Sequence, residues 1–309
     1  MSAPVALRAN FSNLYGSSML PVLEELFRAE IAQHPSRRSE LFRMVSTDRD
    51  IYQTADIHDM DLFSQVSEGQ EYSFVRPKQG ASKTFTPVKY GLGFSISEEM
   101  VDDGKFDMIA LMTQKLARSA RESQEINAMN VFNNGFGSET ANDAVALFST
   151  SHTLPSGGTF RTRPSTYADL SQSSLDQALY DFETIFVGDS GIIMNMKPKI
   201  LLVHPSNKRY AKELIGSDLK PDTADNNLNS LKDEGLRVVS SPHLTDTDAW
   251  FLLADPSETG LKIVERKGIE TKAAGPDVGF ATDSIYYKAR YREAIGVDNA
   301  YGIYGNQGA

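Results

Sequence analysis

The chain has 309 residues, of which 40% are hydrophobic and 23% charged, a composition typical of a folded globular protein of about two domains. It contains no cysteine, which excludes disulfides, thiolate metal sites and thiol nucleophiles. Its net charge of -10 argues against a protein that grips nucleic acid, because phosphate contacts require clustered Lys and Arg.

The N-terminal 48 residues are predicted to form an arm that contains one helix. An apolar stripe with proline in the first turn predicts this helix over Pro21–Ile31. The first residues, Met1–Arg8, lack the apolar core of a signal peptide, and the chain has no apolar run of about 18 residues. We therefore expect the chain to stay in the cytoplasm.

Residues 66–134 indicate a long hairpin that runs into the longest helix. Its strands are predicted over Gln70–Arg76 and Lys83–Tyr90, which alternate apolar and polar residues, with the turn over residues 77–82. Pro87 has no N–H for a ladder, so the hairpin is expected at a sheet edge. Because isolated two-stranded ribbons are marginal in water, such an arm needs a partner molecule, unless it folds back on its own domain.

A long amphipathic helix is predicted over Lys105–Asn133, and its charged side is expected to face solvent. A loop-rich stretch to residue 170 then leads into a compact α/β unit. The elements predicted after residue 170 are helices over 171–186 and 205–215 and strands over 199–203, 236–239, 249–253, 261–265 and 284–294.

Catalytic and metal-binding motifs are weak throughout the chain. Gly188–Gly191 matches the loop around a nucleophilic serine, here Ser190, but no histidine motif accompanies it, so a glycine-rich turn is favoured. The five histidines show no pair at metal-ligand spacing. His58–Asp61 lacks a fourth ligand, and residues 222–229 lack the glycine and glutamate of a calcium loop. The sequence therefore predicts no catalytic residue, no cofactor and no metal ion.

Three short motifs accompany this order of elements: Phe148–Thr153 after the long helix, Lys199–Pro205 at the start of the α/β unit, and Ala289–Val297 followed by Tyr301-Gly302. Together they resemble the major capsid (head) proteins of tailed bacteriophages, which have the Hong Kong phage fold, and most of all the head subunit of Mu-type phages and prophages. The resemblance covers almost the whole chain. It implies an α+β phage major capsid fold with an N-arm, an extended β-hairpin E-loop, a peripheral P-domain with a long spine helix, and an axial A-domain.

The resemblance also implies domain boundaries. They are 1–48 for the N-arm, 49–98 for the E-loop, 99–170 for the P-domain with its spine helix at 105–133, 171–254 for the A-domain, 255–295 for the P-domain return strands and 296–309 for a C-terminal segment of the A-domain. The E-loop would lie on a neighbouring subunit. Its apolar residues would then be inter-subunit contacts that are buried only in the lattice, namely Tyr72, Phe74, Phe85, Val88 and Tyr90.

The implied function is structural and not enzymatic. The subunit would self-assemble into pentamers and hexamers of an icosahedral head, which encloses double-stranded DNA without sequence-specific contacts. The implied location is the virion capsid, assembled in the cytoplasm of the bacterial host. A separate scaffold protein is expected, since no scaffolding segment precedes the arm, together with a maturation protease and a portal.

Some relatives lock the shell with an isopeptide bond from an E-loop lysine to a P-domain asparagine. Lys78 and Lys83 could be donors, but residues 255–298 contain no asparagine, so no crosslink is expected. Two alternatives stay open. One is an encapsulin-like compartment shell of the same fold, and the more remote one is a serine hydrolase that uses Ser190.

Overall fold

The computed structural model describes residues 19–34, 36–57, 62–72, 74, 79–154, 157–188, 190–217, 229–274 and 284–309. The described helices are α1 Met19–Gln33, α2 Arg38–Leu41, α3 Glu98–Asp102, α4 Phe106–Asn133, α5 Gln172–Ile185, α6 Lys208–Gly216 and a 3-10 turn at Ser230–Lys232. The strands are β1 Arg43–Ser46, β2 Tyr52–Ile57, β3 Gln79–Phe85, β4 Val88–Ser97, β5 His152–Thr153, β6 Thr159–Phe160, β7 Ile200–Val203, β8 Arg237–Ser240, β9 Trp250–Leu253, β10 Leu261–Ala274, β11 Ser284–Val297 and β12 Ile303–Asn306.

The first sheet, called sheet I, has the strand order β1-β10-β11-β4. Its long central strands, β10 and β11, are antiparallel, and β4 pairs with β11 along ten residues. Helix α4 has 28 residues and, at 1.5 Å per residue, is about 42 Å long. It covers one face of sheet I, where Ile109 and Leu116 pack with Tyr287 in a buried cluster.

Helix α1 lies against α4 and buries Leu23 and Phe27 in the same cluster. The charged side of α4, expected to face solvent, instead binds the N-terminal segment in part. Glu125 accepts hydrogen bonds from the Ser36 hydroxyl at 2.6 Å and from the Arg37 backbone N–H at 3.0 Å. Carboxylates on a helix can therefore hold a neighbouring chain segment, and periodicity alone does not reveal this.

The second sheet, called sheet II, has the order β12-β9-β7-β8. Every residue of β7, β9 and β12 is buried, which agrees with their nearly continuous apolar sequences. The larger hydrophobic core of the chain surrounds this sheet and reaches the C-terminal end of α4 at Phe132. Ser171 caps α5 by accepting a hydrogen bond from the Ser174 N–H at 3.2 Å.

The structure confirms the predicted helices that correspond to α1, α4, α5 and α6 and the predicted strands that correspond to β7, β8 and β9 of sheet II. The fourth strand of that sheet, β12, was not predicted. The hairpin prediction is wrong in its first strand: residues 70–72 and 74 form no strand, while 73, 75 and 76 lie outside the described residues. The partner of β3 is instead Tyr52–Ile57. The second predicted strand is broken at Thr86-Pro87, since Pro87 cannot donate to a ladder. The predicted turn over residues 77–82 is wrong at 79–82, which belong to β3.

No helix in the described ranges is both long enough and apolar enough to span a membrane.

Candidate assembly surfaces

Strands β2 and β3 form the base of a hairpin arm, defined here as residues 52–85. Tyr52 pairs with Phe85 at the sheet end, and Ile57 pairs with Gln79 at the far end. The rings of Tyr52 and Phe85 lie 6.3 Å apart, and Phe85 is only 3% exposed. The base of the arm is therefore packed within its own chain.

Polar contacts fix this base further. The Lys83 ammonium donates a hydrogen bond to the Thr140 carbonyl at 2.6 Å. The Thr54 hydroxyl donates to the Asp298 carboxylate, which also accepts from Lys262. Burial raises the pKa of Glu139, and the nearby charge of Lys83 opposes that shift. The arm thus leaves its domain in a defined direction.

The described residues of the distal arm, 62–72 and 74, include four large apolar side chains that their own chain leaves uncovered. Phe63 is fully exposed, and Phe74 is 90% exposed. Leu62 and Tyr72 are exposed by 76% and 73%. Exposed apolar side chains in this concentration make the distal arm a candidate interaction surface, because contact with a partner would remove them from water.

Strand β4 carries a second apolar surface at the edge of sheet I. Val88, Tyr90 and Leu92 alternate along the strand, so their side chains share one face. Val88 is 55% exposed and Leu92 59%, while Tyr90 stacks on Tyr291 with ring centroids 5.0 Å apart. Among the described strands β4 lies at the edge of sheet I, so no described strand pairs with its outer backbone groups, and another chain could pair with them.

Four of the five predicted contact residues are exposed, namely Tyr72, Phe74, Val88 and Tyr90. Exposure leaves them free to contact a neighbour, and their role as inter-subunit contacts stays a prediction. Phe85 is different, because its own chain already buries it. The sequence analysis missed Leu62, Phe63 and Leu92, which are as exposed as the predicted set. Leu92 could have been found by extending the alternation of β4 by one step.

The Phe148–Thr153 motif has a structural explanation. His152 is buried, with Nδ1 2.8 Å from the Asp143 carboxylate and Nε2 3.1 Å from the Thr162 hydroxyl. Burial alone would raise the pKa of Asp143, but the hydrogen bond and charge of His152, with two backbone N–H groups, hold it below its usual range. The arrangement fastens β5 to the loop after α4 and leaves the imidazole without access to solvent.

The candidate nucleophile Ser190 has no partner that could activate it among the described residues. Its hydroxyl is buried and makes no hydrogen bond there. Gly191 donates to the Gly188 carbonyl at 3.0 Å and has a φ of +78°, as the favoured glycine-rich turn requires. Asp189 lies outside the described residues.

No group of three His, Asp or Glu side chains that could hold a metal ion occurs within the described ranges. The candidate ligands at residues 58–61 lie outside those ranges, as do residues 222–228. Asn229 uses its side chain to donate to the Leu214 carbonyl at 2.6 Å, so it serves to hold α6 and the 3-10 turn together.

A family model described as "Phage capsid protein" matches residues 80–306. The chain belongs to this phage capsid family. The match begins within β3 and ends in β12, so it includes α4 and both main sheets of the capsid chain. No curated protein matches the sequence.

Solved capsid structures share the fold of this capsid chain at low sequence identity. The capsid of the cyanophage P-SCSP1u is 12% identical, with a TM-score of 0.58 over 89% of this chain and 88% of that one. The virus-like particle of Pyrococcus furiosus is 13% identical, with a TM-score of 0.54 over 94% of this chain and 100% of the other. The procapsid of bacteriophage JBD30 is 11% identical, with a TM-score of 0.53 over 94% and 74% of the two chains. The predicted phage capsid fold is thereby confirmed.

Proposed function

We propose that the chain is a major capsid subunit that self-assembles into pentamers and hexamers of an icosahedral head, and that the head encloses double-stranded DNA. The head subunits of Mu-type phages are the group we assign it to, on the short motifs around Phe148 and Ala289. Membership of the phage capsid family supports the structural role.

The arm is the observation that carries this proposal. Its base is buried and hydrogen-bonded within the chain at Phe85 and Lys83, while its distal residues Phe63 and Phe74 lie in solvent. Because the base is held by its own chain while the apolar side chains at the far end are exposed, a neighbouring subunit is the partner that could bury them. At about 25 cal/mol per Å² of apolar surface, burying a few such side chains would contribute several kcal/mol per contact.

Modest contacts suffice for a stable shell because each subunit has several neighbours. Once a subunit is held by one contact, every further contact is effectively intramolecular, and the closed shell accumulates them. Tyr72 and Phe74 of the arm and Val88 and Tyr90 of β4 are the contacts we assign to these interfaces. In this assignment residues 49–98 act as the E-loop and α4 as the spine of the P-domain.

Further components are part of the proposal. A separate scaffold protein would guide closure, a protease would trigger maturation, and a portal would occupy one vertex. The net charge of -10 fits a container whose lining does not hold its DNA tightly. A potential map of the assembled head with a strongly basic lining would contradict that part of the proposal.

The first test is size-exclusion chromatography with negative-stain electron microscopy on the chain, expressed alone and with its neighbouring genes. We expect ring-shaped capsomers, tubes or closed shells. A chain that stays strictly monomeric or dimeric in every condition would overturn the proposal. Shells that contain protein in place of nuclease-protected DNA would indicate an encapsulin-like compartment.

A further inference from the structure

A lysine and an aspartate of sheet I contact each other with little access to solvent. Lys262 lies near the start of β10, and Asp298 directly follows the end of β11. Lys262 pairs with Gly296 across the two strands, so Asp298 is its diagonal neighbour on the same face, within reach of a long side chain. The Lys262 ammonium contacts the Asp298 carboxylate, and the two side chains are only 13% and 15% exposed. Such a pair is unusual, because lysine and aspartate are rarely buried.

The base of the arm and the loop after α4 cover the face on which this pair lies. Gly296, opposite Lys262, has no side chain, and a Cβ atom placed there would lie 3.3 Å from the Phe85 ring and 3.4 Å from Oε1 of Glu139. Cross-strand partners have Cβ positions about 5 Å apart, so the Glu139 carboxyl lies close to the Lys262 side chain. A lysine and two carboxyl groups therefore meet beside an aromatic ring.

The two oxygens of the Asp298 carboxylate have different partners. The Thr54 hydroxyl donates to Oδ1, whereas the Lys262 ammonium contacts Oδ2. A donor on one oxygen stabilises the negative charge that develops there when a nucleophile attacks the carboxyl carbon. Burial raises the pKa of Glu139, and the charge of Lys83 opposes that shift. Because burial favours its neutral form, Glu139 can hold a proton at a higher pH than an exposed glutamate.

An ammonium and a carboxylate together have the composition of an amide plus one water molecule. Once the Lys262 nitrogen has passed on a proton, its lone pair can attack Cγ of Asp298. The C–N bond forms, the C–Oδ2 bond breaks, and Oδ2 leaves as water with the two protons that the nitrogen loses. Glu139 can accept these protons and donate them to the leaving oxygen. The step needs no cofactor, and it exchanges two buried charges for a neutral amide, which a site with little access to water favours.

We propose that Lys262 and Asp298 form an amide bond within a single chain, assisted by Glu139 and Thr54. The bond would join β10 to the segment after β11 at the end of sheet I from which the arm leaves, because Thr54 of β2 contacts the same carboxyl group. It links no second chain, so the subunit would still run as a single chain on a denaturing gel. The inference goes beyond the proposed function and does not depend on assembly.

Mass spectrometry of the denatured full chain tests the bond. We expect the intact mass to be lower than the sequence mass by one water molecule, and trypsin to release a branched peptide that is not cleaved after Lys262. Lys262→Arg keeps the cation but removes the nucleophile, and Asp298→Ala removes the carboxyl group, so each should have its full sequence mass. Glu139→Gln cannot relay a proton and should slow bond formation by about 100-fold or more, measured as the bonded fraction against time after induction.

Lys199 and Asp255 provide a matched control pair. Their ammonium nitrogen and carboxylate oxygen lie 3.1 Å apart, but the side chains are 55% and 38% exposed. Water solvates both charges there, so the pair should stay ionic. Lys199→Arg should therefore keep the mass deficit of the wild type, and trypsin should cleave the wild type after Lys199.

Different results would overturn different parts of the proposal. A wild-type chain of full sequence mass, both fresh and after storage, overturns the bond and leaves an ordinary ion pair. A deficit that persists in Lys262→Arg overturns the assignment of the donor, since an aspartate can also lose water to its own backbone. A bond that forms at the normal rate in Glu139→Gln overturns the role of Glu139. None of these results bears on shell assembly, and failure to assemble overturns the proposed function alone.

Discussion

At the scale of single residues, buried polar groups connect the N-terminal segment to sheet I. Arg38 donates a hydrogen bond to Glu293 at 2.5 Å, and both side chains are almost fully buried. Glu265 lies 3.7 Å from the same guanidinium. The second carboxylate oxygen of Glu293 has no partner among the described residues. Burial raises the pKa of Glu293, and the charge of Arg38 opposes that shift.

Removing the cation with Arg38→Met should therefore cost about 3–5 kcal/mol of unfolding free energy near neutral pH, because an unpaired carboxylate stays buried. The sign of the pH dependence follows from the raised pKa of Glu293. Its contribution to stability is fully present below the ordinary pKa of 4.5 and is lost as the pH rises through the folded-state pKa. The loss caused by Arg38→Met should consequently be larger at pH 8 than at pH 5.

Urea unfolding of the wild type and of Arg38→Met at the two pH values measures this difference. The matched variant is Arg38→Met combined with Glu293→Gln, which removes the charge and should recover most of the stability at both pH values. An equal loss at pH 5 and pH 8 would show that the guanidinium acts through packing and not through its charge.

A second residue-scale constraint lies around Phe148. A Cβ atom added to Gly305 would come within 2.5 Å of the Phe148 ring, and one added to Gly135 would approach the ring from another side at the same distance. We expect Gly305→Ala to lower the unfolding free energy by about 1–3 kcal/mol through overpacking. Gly137→Ala is the control, because a Cβ atom there has open space. Thermal melts of the two variants that coincide would contradict this account of the motif.

At the scale of elements, the sequence predicted what periodicity can encode. The apolar stripe of α4 and the continuous apolar strands β7 and β9 were readable because each buries its side chains within the chain. The distal arm was misread as a strand over Gln70–Arg76, because apolar residues can also alternate with polar ones in an exposed segment that pairs with no strand of its own chain, as at Tyr72 and Phe74. Pairing between β2 and β3 was missed because residues 58–78 separate the two strands.

The arm offers an element-scale prediction. Replacing residues 58–78 with Asn-Gly would join Ile57 to Gln79, whose pairing already brings the strands together, by a type I′ turn. The shortened chain should fold with a melting temperature close to that of the wild type, since the base contacts of Phe85 and Lys83 are retained. Its shells and capsomers should be absent in chromatography and electron microscopy.

The control for the shortened arm keeps all 21 positions of residues 58–78 and leaves the apolar residues in place. Only the order of the polar residues within this segment is changed. That chain should keep some assembly, because the apolar contacts of Phe63 and Phe74 remain. Normal shells from the shortened chain would remove the arm from the assembly mechanism.

At the scale of the whole molecule, assembly should appear as added stability. The apolar surfaces around Phe63, Phe74 and Leu92 are buried only if neighbouring subunits cover them. Because only folded subunits can assemble, assembly stabilises the folded state relative to the unfolded state. We expect assembled particles to unfold at a higher temperature than isolated subunits, and the subunit transition to rise with protein concentration. Differential scanning calorimetry on gel-filtered fractions measures both. Identical, concentration-independent transitions would contradict an obligate shell protein.

The joint between β3 and β4 has a geometrical consequence. Only Thr86 and the buried Pro87 separate the arm from the edge strand of sheet I, and proline fixes its φ near -65°. The base of the arm, formed by β2 and β3, therefore leaves sheet I at an angle that this short joint restricts. If it reaches a different surface on the next subunit, the contact is head-to-tail, and such contacts close into rings only when the rotation per subunit divides a full turn. Two residues at the root of the arm would then help to decide how many subunits complete a ring.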